Sequence, residues 1–521
     1  MSREVSAFLS ESKSKEVVLA VDHNRWRPHN LTALELLVGH ATQGKTCLYL
    51  NTSDFRSRNY GAMYPKILLQ RYSSDLTSSG TIKKISEHYN VRILDVGISH
   101  QHREISHAED RDLVLSQIRI TTSESHIRSL KYRGAELGYA IVSSIYERHK
   151  KSSALNSKKL MIQEALIFMD TFDLVEDLCT THSIDRLIVF NGRFSPERAS
   201  WSAGLAHSVD VQIHESVIGA KFMTSRLGMH SISGYADDAT SAWQNDTSGH
   251  KRGIGEIWFE QRRNNFGSID PWFKKSRLAS IFSRPVGALE RQYALTKVLK
   301  LNTQNKPIAS LFNTSDREFY SISPEWEGSN ETQFSRFYWA SQELLASGFF
   351  VVLRLHPNMR DEPKSSLVQW RRLKELGVQI VEYDDVLNSY SLIECSDIVV
   401  TAGSTTGLEA SAMKKPSILI GNAYYEGLNC VLPCHDVETF RRLLTFKEDE
   451  TLLDQLYENS LIAGFYEASK WHQRKWLIPE VDAIFDDRIK PSVLVQIAGI
   501  LMRRWILVTE KTRVFISTLN T

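Results

Sequence analysis

The chain has 521 residues, 42% of them hydrophobic and 24% charged, a composition that excludes a disordered polypeptide and leaves room for roughly two to four ordinary domains. A formal net charge of +2, with no basic helix carrying interleaved aromatics, excludes nucleic acid as an expected partner. Cys47, Cys179, Cys395, Cys430 and Cys434 are odd in number and scattered, which excludes a disulfide framework and predicts reduced thiols in a cytoplasmic protein.

The N-terminal MSREVSAFLSESKSKE is polar and lacks the apolar run of a signal peptide. Residues 16–21 (EVVLAV) read as a buried strand that delivers Asp22, His23 and Asn24 to its carboxyl end. Leu31 to His40 has helical spacing with Gly44 as its stop, and residues 46–50 (TCLYL) and 91–96 (VRILDV) are further strands. Strand, helix and strand at this spacing predict βαβ units and a parallel sheet. From about 125 to 180 the pattern is helical without a clear strand. Residues 186–190 (RLIVF) restore a strand that ends in Asn191-Gly192-Arg193, and residues 211–213 form a short one that ends in His214-Glu215.

Residues 236–290 are rich in Asn, Asp, Ser, Gly and Arg, with Trp243, Trp258 and Trp272 spaced through them, and read as an irregular or short-helix segment joining two lobes. A second set of strands follows. Residues 307–312 end in Asn313-Thr314-Ser315-Asp316, and residues 349–355 (FFVVLRL) end in His356-Pro357-Asn358. Residues 378–381 and 398–400 are shorter runs, and 417–420 (SILI) begins after Pro416. The expected fold is therefore α/β: two Rossmann-like, doubly wound lobes facing a central cleft. The first lobe covers residues 1–235, with a helical insertion at about 125–180, and 236–300 joins it to the second lobe at 301–465. A helical tail fills 466–521. In that tail Val493 to Met502 is apolar but falls short of the ~20 residues that span a bilayer. Five Lys/Arg against one acidic residue from 490 onward allow peripheral contact with anionic lipid; packing back onto the first lobe is the other expectation.

Chemistry is expected at the strand ends. Ala402-Gly403-Ser404-Thr405-Thr406-Gly407 lies between a strand and a helix, where hydroxyls and backbone N–H groups favour a phosphate. His356, set by Pro357 at the end of a buried strand, is placed to donate to a phosphate or protonate a leaving group, with Arg354 and Asn358 beside it. Glu409, early in the next helix, is a candidate acceptor from ribose hydroxyls or simply a complement to the helix dipole. Ser315 and Asp316, with Glu318, border the same crevice. In the first lobe Asn191, Arg193, His214 and Glu215 follow strands, and a cleft-facing Glu215 is a candidate general base or nucleophile. No GxxxxGK[ST] loop, no GxGxxG after the first strand and no GxSxG elbow is present. Cys430-x3-Cys434-His435 is half a metal site without a second half, so no metal is expected.

These stretches in order, FNGRFSPERASW with a later HE, SLFNTSDREF, VVLRLHPN, and DDVLNSYSLIECSDIVVTAGSTTGLEASAMKKPSILIG with Tyr425 beyond, resemble bacterial capsule and surface-polysaccharide biosynthesis proteins. Those are glycosyltransferases of the two-lobed GT-B architecture, and the likeness spans about residues 185–425. The resemblance implies a nucleotide-sugar donor, best a CMP-activated acidic sugar such as Kdo or sialic acid, as the co-substrate with no further cofactor. It implies donor-phosphate contacts from His356, Ser404, Thr405 and Thr406, and a first-lobe base, Glu215, although no acidic-acidic-glycine motif precedes it here. It implies a glycan or glycolipid acceptor and contact with other polysaccharide-assembly proteins at the inner face of the membrane. Polyol-phosphate transferases and nucleotide-sugar 2-epimerases share a similar second lobe. A glycan-assembly scaffold is the non-enzymatic alternative.

Overall fold

The computed structural model describes residues 2–12, 14, 16–23, 27–52, 82, 85–91, 93–96, 107–149, 155–217, 221–225, 231–264, 296, 302–315, 321–327, 332–362, 364–385, 387–445 and 449–476. The strands of the first half are β1 (Val17–Asp22), β2 (Thr46–Asn51), β3 (Ile93–Val96), β4 (Arg186–Phe190), β5 (Asp210–Val217) and β6 (Lys221–Ser225). Those of the second half are β7 (Ile308–Phe312), β8 (Phe350–Arg354), β9 (Gln379–Val381), β10 (Ile398–Thr401), β11 (Ser417–Leu419), β12 (Leu432–Pro433) and β13 (His472–Gln473).

Every residue of β1 is buried, because helices cover both faces of the sheet. Val18 and Ala20 pack with Leu34, Leu37 and Val38 of the helix Arg27–Ala41. Val17, Leu19 and Val21 face the opposite layer, built by the helices Leu137–His149, Lys158–His182 and Ser195–Ala206. The period of two thus divides one apolar run between two cores. Of these, Leu137–His149 and Lys158–His182 belong to the expected helical insertion between β3 and β4, and Ser195–Ala206 follows β4.

The first sheet has the order β13-β6-β5-β4-β1-β2-β3, parallel from β5 to β3. Its other edge departs from the expected wholly parallel pattern. β5 does not stop at Ile213; it continues through His214 and Glu215 to Val217 and returns antiparallel as β6. The second sheet is parallel throughout, in the order β12-β11-β10-β7-β8-β9. Both sheets therefore reverse winding direction beside their first strand, between β1 and β4 and between β7 and β10. Open α/β sheets bind ligands in the crevice at such a point.

Residues 232–264, most of them in the stretch expected to be irregular or short-helical, form two 14-residue helices, Ile232–Asn245 and Lys251–Asn264. Ala239, Trp258 and Phe259 from these helices join Leu408, Tyr425 and Leu461 in one core, so the segment is a layer of the second lobe rather than a spacer. Its Asn, Ser and Gly content is compatible with the short-helix alternative because Ser231 caps the first helix and polar residues occupy its outer face. Trp272 lies outside the described residues.

The helix Glu450–Ser469 closes the second lobe, after which the chain returns to the first. There β13 pairs with β6, and the Glu35 carboxylate accepts the backbone N–H groups of Lys475, at 2.6 Å, and Trp476, at 3.0 Å. Arg474 reaches Thr32 Oγ1 at 3.2 Å. Among the described residues no helix is long and apolar enough to cross a membrane. The apolar stretch 493–502 and the basic residues after it lie outside the described residues.

Candidate functional site

The turn after β7 lies at the centre of the second lobe's carboxyl edge. Asn313, Thr314 and Ser315 are all buried, and the Ser315 hydroxyl has no hydrogen-bond partner among the described residues. The Asn313 side-chain oxygen accepts the His356 backbone N–H at 2.8 Å, so the end of β8 is tied to the end of β7. His356 caps the short helical turn Pro357–Asp361, its Nδ1 accepting the Asn358 N–H at 3.2 Å. An accepting Nδ1 places the neutral ring's proton on Nε2, which is then a donor. On the other side of β7, Thr401 Oγ1 donates to the Phe312 carbonyl at 3.3 Å and accepts the Ser404 N–H at 3.0 Å. The Ser404 and Thr406 hydroxyls are hydrogen-bonded to each other, and the Tyr425 hydroxyl donates to the Ser404 carbonyl at 2.5 Å. Gly407 permits this packing: a Cβ there would lie 2.6 Å from Thr401 Cγ2 and 2.8 Å from the Tyr425 oxygen. The His-Pro and Ser-Thr-Thr turns thus flank the 313–315 turn rather than each other, and the three meet at the switch point. The helix after the turn is only six residues long, Thr406–Ser411. The turn therefore offers hydroxyl and N–H donors more than a macrodipole.

Two expected phosphate or ribose contacts have partners inside the protein. Arg354 is buried, with its guanidinium on the carbonyls of Glu382 and Asp385, the latter at 3.0 Å; burial lowers its pKa to about 10, and it remains protonated at neutral pH. It holds the 382–385 loop against β8. Glu409 is 4% exposed and pairs with Arg262 of the helix Lys251–Asn264, at 2.8 Å. Nothing in the sequence around Arg262 pointed to that pair. Asp316 and Glu318 lie outside the described residues.

In the first lobe β5 outruns its parallel partner. The last β4–β5 pair is Phe190 with His214, so Glu215 stands one residue beyond it, at the sheet's carboxyl edge though still within a strand. Asn191 Nδ2 donates to Glu215 Oε2 at 2.6 Å, and His29 Nδ1 lies 3.8 Å from Oε1. His29, which sequence reading overlooked, stacks on Phe190 with ring centroids 3.7 Å apart. Its signal was its place in the first turn or so of the helix after β1. Arg193 is buried and donates to Ser143 Oγ at 2.6 Å, inside the lobe. Asp22 and His23 are buried too: Asp22 accepts from Tyr49, and His23 bridges Thr52 and Ser200. Asn24 lies outside the described residues.

The two carboxyl edges face one another. Arg128 Nε donates to Ser321 Oγ at 2.8 Å, Arg198 to the Ile322 carbonyl, and Tyr146 to Glu362 Oε2 at 3.5 Å. No protein-family model matches the chain, and no curated protein matches its sequence. Among solved structures it is similar to a β-Kdo 2,4-transferase, KpsC, of Thermosulfurimonas dismutans, at 15% identity and a TM-score of 0.33, covering 54% of this chain and 79% of that one. It is also similar to the UDP-GlcNAc 2-epimerase of Neisseria meningitidis bound to UDP-GlcNAc (10% identity, 87% and 97% covered, TM-score 0.30). A third is HepE of Anabaena in complex with UDP-glucose (10% identity, 90% and 98% covered, TM-score 0.27). Similarities this distant decide nothing about chemistry, which is read from the site.

Cys430 and Cys434 are buried thiols, pushed up to about 12 and about 11 by that burial, and His435 faces Glu426 instead. Among the described residues no group of three or more His, Cys, Asp or Glu side chains is placed to hold a metal ion.

The histidines beside Glu215 have a consequence for stability. Burial first, then the neighbouring charges of His214 and Arg474 for His29 and of Arg474 for His214, lower the pKa of His29 to about 2 and of His214 to about 3. The unfolded chain takes up these protons at about pH 6.5 while the folded protein does not, so stability is complete above about 6.5 and falls as the pH drops toward the folded values, by up to about 1.4 kcal/mol per pH unit for each ring. Thermal unfolding followed from pH 7 to pH 4 should show the melting temperature dropping, and His214→Gln should flatten that slope. An unchanged slope in the variant would mean that His214 does not stay neutral in the fold.

Proposed function

We propose that this chain is a glycosyltransferase that moves a sugar from a nucleotide donor held by the second lobe to a glycan or lipid-linked acceptor held against the first. The observation that supports this reading is the convergence of three polar turns, 313–315, 356–358 and 404–406, on the switch point of the second sheet, with Glu215 at the carboxyl edge of the first. In the reaction, Glu215 takes the proton of the acceptor hydroxyl as that oxygen bonds to the anomeric carbon. The bond from the anomeric carbon to the donor phosphate breaks, and its electron pair leaves with the nucleotide. The Ser315, Ser404, Thr405 and Thr406 hydroxyls and the Nε2–H of His356 are the groups at hand for the charge that builds on that phosphate. Preorganised neutral donors suit this role because they need no rearrangement as the charge develops. The resemblance to capsule transferases makes a CMP-activated acidic sugar the preferred donor.

A melting screen with CMP, CDP, UDP and GDP tests the donor site. The nucleotide that binds should stabilise the protein by about 2.7 kcal/mol at one hundred times its dissociation constant, and His356→Ala should lose most of that shift. Stabilisation by CMP alone supports an acidic-sugar donor; silence from all four nucleotides would sink the reading. An epimerase would convert its nucleotide-sugar without an acceptor, and a scaffold would show neither conversion nor transfer.

A further inference from the structure

Glu215 does not set its own direction. β5 runs on past its last parallel partner, and the carboxylate at that point is held from the side by Asn191. Asn191 sits in the turn after β4 with a left-handed backbone, φ 54°, followed by Gly192 at φ 76°. Two consecutive left-handed residues make a sharp reversal that asparagine and glycine tolerate best. The turn has no slack, since a Cβ on Gly192 would lie 3.0 Å from both Ile213 Cδ1 and Trp201 Cε3. The Asn191 backbone N–H is bonded to the His214 carbonyl at 2.9 Å, so turn and strand move together.

The same turn is tied to the other lobe. Arg198, 4% exposed on the helix Ser195–Ala206, donates through Nε to the Gly192 carbonyl at 3.3 Å. One terminal nitrogen reaches Glu136 at 3.1 Å, and the other reaches the Ile322 carbonyl of the second lobe. Ile322 follows the chain that leaves the 313–315 turn, and Ser321 beside it accepts from Arg128. A planar guanidinium has its donors in a fixed fork, so its three partners hold one another in register.

We infer that Asn191 and Arg198 are positioning residues: Asn191 aims the Glu215 carboxylate, and Arg198 ties the turn that carries Asn191 to the donor lobe, so that the base is aligned only when the lobes are in contact. This rests on Glu215 being the base. A second lobe that rocks away at 321–322 would draw on the guanidinium, and through Gly192 on the residue that orients the base.

The test measures nucleotide release from the donor that the melting screen selects, CMP-sialic acid in the first instance, with water as acceptor. Asn191→Gly keeps the left-handed backbone and removes the amide. It should lower kcat about tenfold or more with donor KM within about twofold. Asn191→Asp puts a second carboxylate against Glu215 and should move the acidic limb of the pH–rate profile upward by about one unit. Arg198→Lys keeps the charge but not the fork and should lower kcat as Asn191→Gly does, with donor KM again held; because it retains a cation, it guards against the unfolding that Arg198→Met risks. The double variant Asn191→Gly/Arg198→Lys should be no slower than the slower single one. Full kcat in Arg198→Lys, or effects that multiply in the double variant, would overturn the coupling. Should Glu215→Gln retain turnover, the base assignment itself fails, and that outcome is separate from the first two.

Discussion

Glu215→Gln is expected to slow sugar transfer by about 10²–10⁴-fold, the usual contribution of a positioned general base, while nucleotide binding stays as in the parent. At about 1.36 kcal/mol per decade this corresponds to roughly 3–5 kcal/mol of barrier. The substitution is nearly isosteric, and its amide oxygen can still accept the hydrogen bond from Asn191, so the side chain keeps its place and loses only its basicity. Nucleotide affinity should hold because the turns proposed to bind the donor belong to the other sheet. Parallel measurement of kcat and of the nucleotide-induced melting shift checks both halves. A variant that turns over at the parental rate would remove Glu215 from the chemistry; a variant that loses the melting shift as well would place it in donor binding instead.

The largest effect on stability should come from the ion pair between Arg262 and Glu409. Glu409 is 4% exposed and Arg262 19%, and Arg262 also lies over the Trp258 ring, 4.8 Å from its centroid. Burial beside the Glu409 carboxylate holds the Tyr390 phenol well above its ordinary pKa, which shows how little water reaches the pair. Arg262→Met leaves a buried carboxylate without its cation and should cost about 3 kcal/mol, the low end of the range for a broken buried pair. Glu409→Gln should cost less, since the more exposed Arg262 can recruit water. Replacing both, Arg262→Met with Glu409→Leu, should recover part of the loss, because removing two buried charges costs less than stranding one. Denaturant unfolding of the three variants measures this order. Equal costs for the two single variants would mean that the pair is solvated rather than buried. The pair ties the helix Lys251–Asn264 to the helix after the Ser-Thr-Thr turn, so its loss should also loosen the proposed donor site.

Much of this was legible along the chain because the signals are local. The runs EVVLAV, IASLF and FVVLR are apolar and β-branched, and they could only be strands covered on both faces. His356-Pro357 and the 403–407 turn announced themselves because proline, glycine and hydroxyl residues at a strand end leave few backbone choices. The two helices at 232–264 were only half legible, as irregular or short-helical chain, since their outer faces are polar and packing against Glu450–Ser469 shows which side is apolar.

The partners of charged side chains were not legible, because contact between residues 147 apart, as for Arg262 and Glu409, follows from how layers stack and not from any spacing. By composition and period the sequence determined two α/β lobes built on parallel strands, with polar turns at the strand ends around His356 and Ser404–Thr406. Only the tertiary structure decided that β5 carries Glu215 past its parallel partner onto Asn191, that Arg354 and Glu409 already hold partners within the protein, and that Arg198 spans the cleft. The physical reason is the range of the forces involved: backbone propensity and burial pattern act over a few residues and can be read in order, whereas a buried charge is placed by whichever distant group is brought near enough to satisfy it.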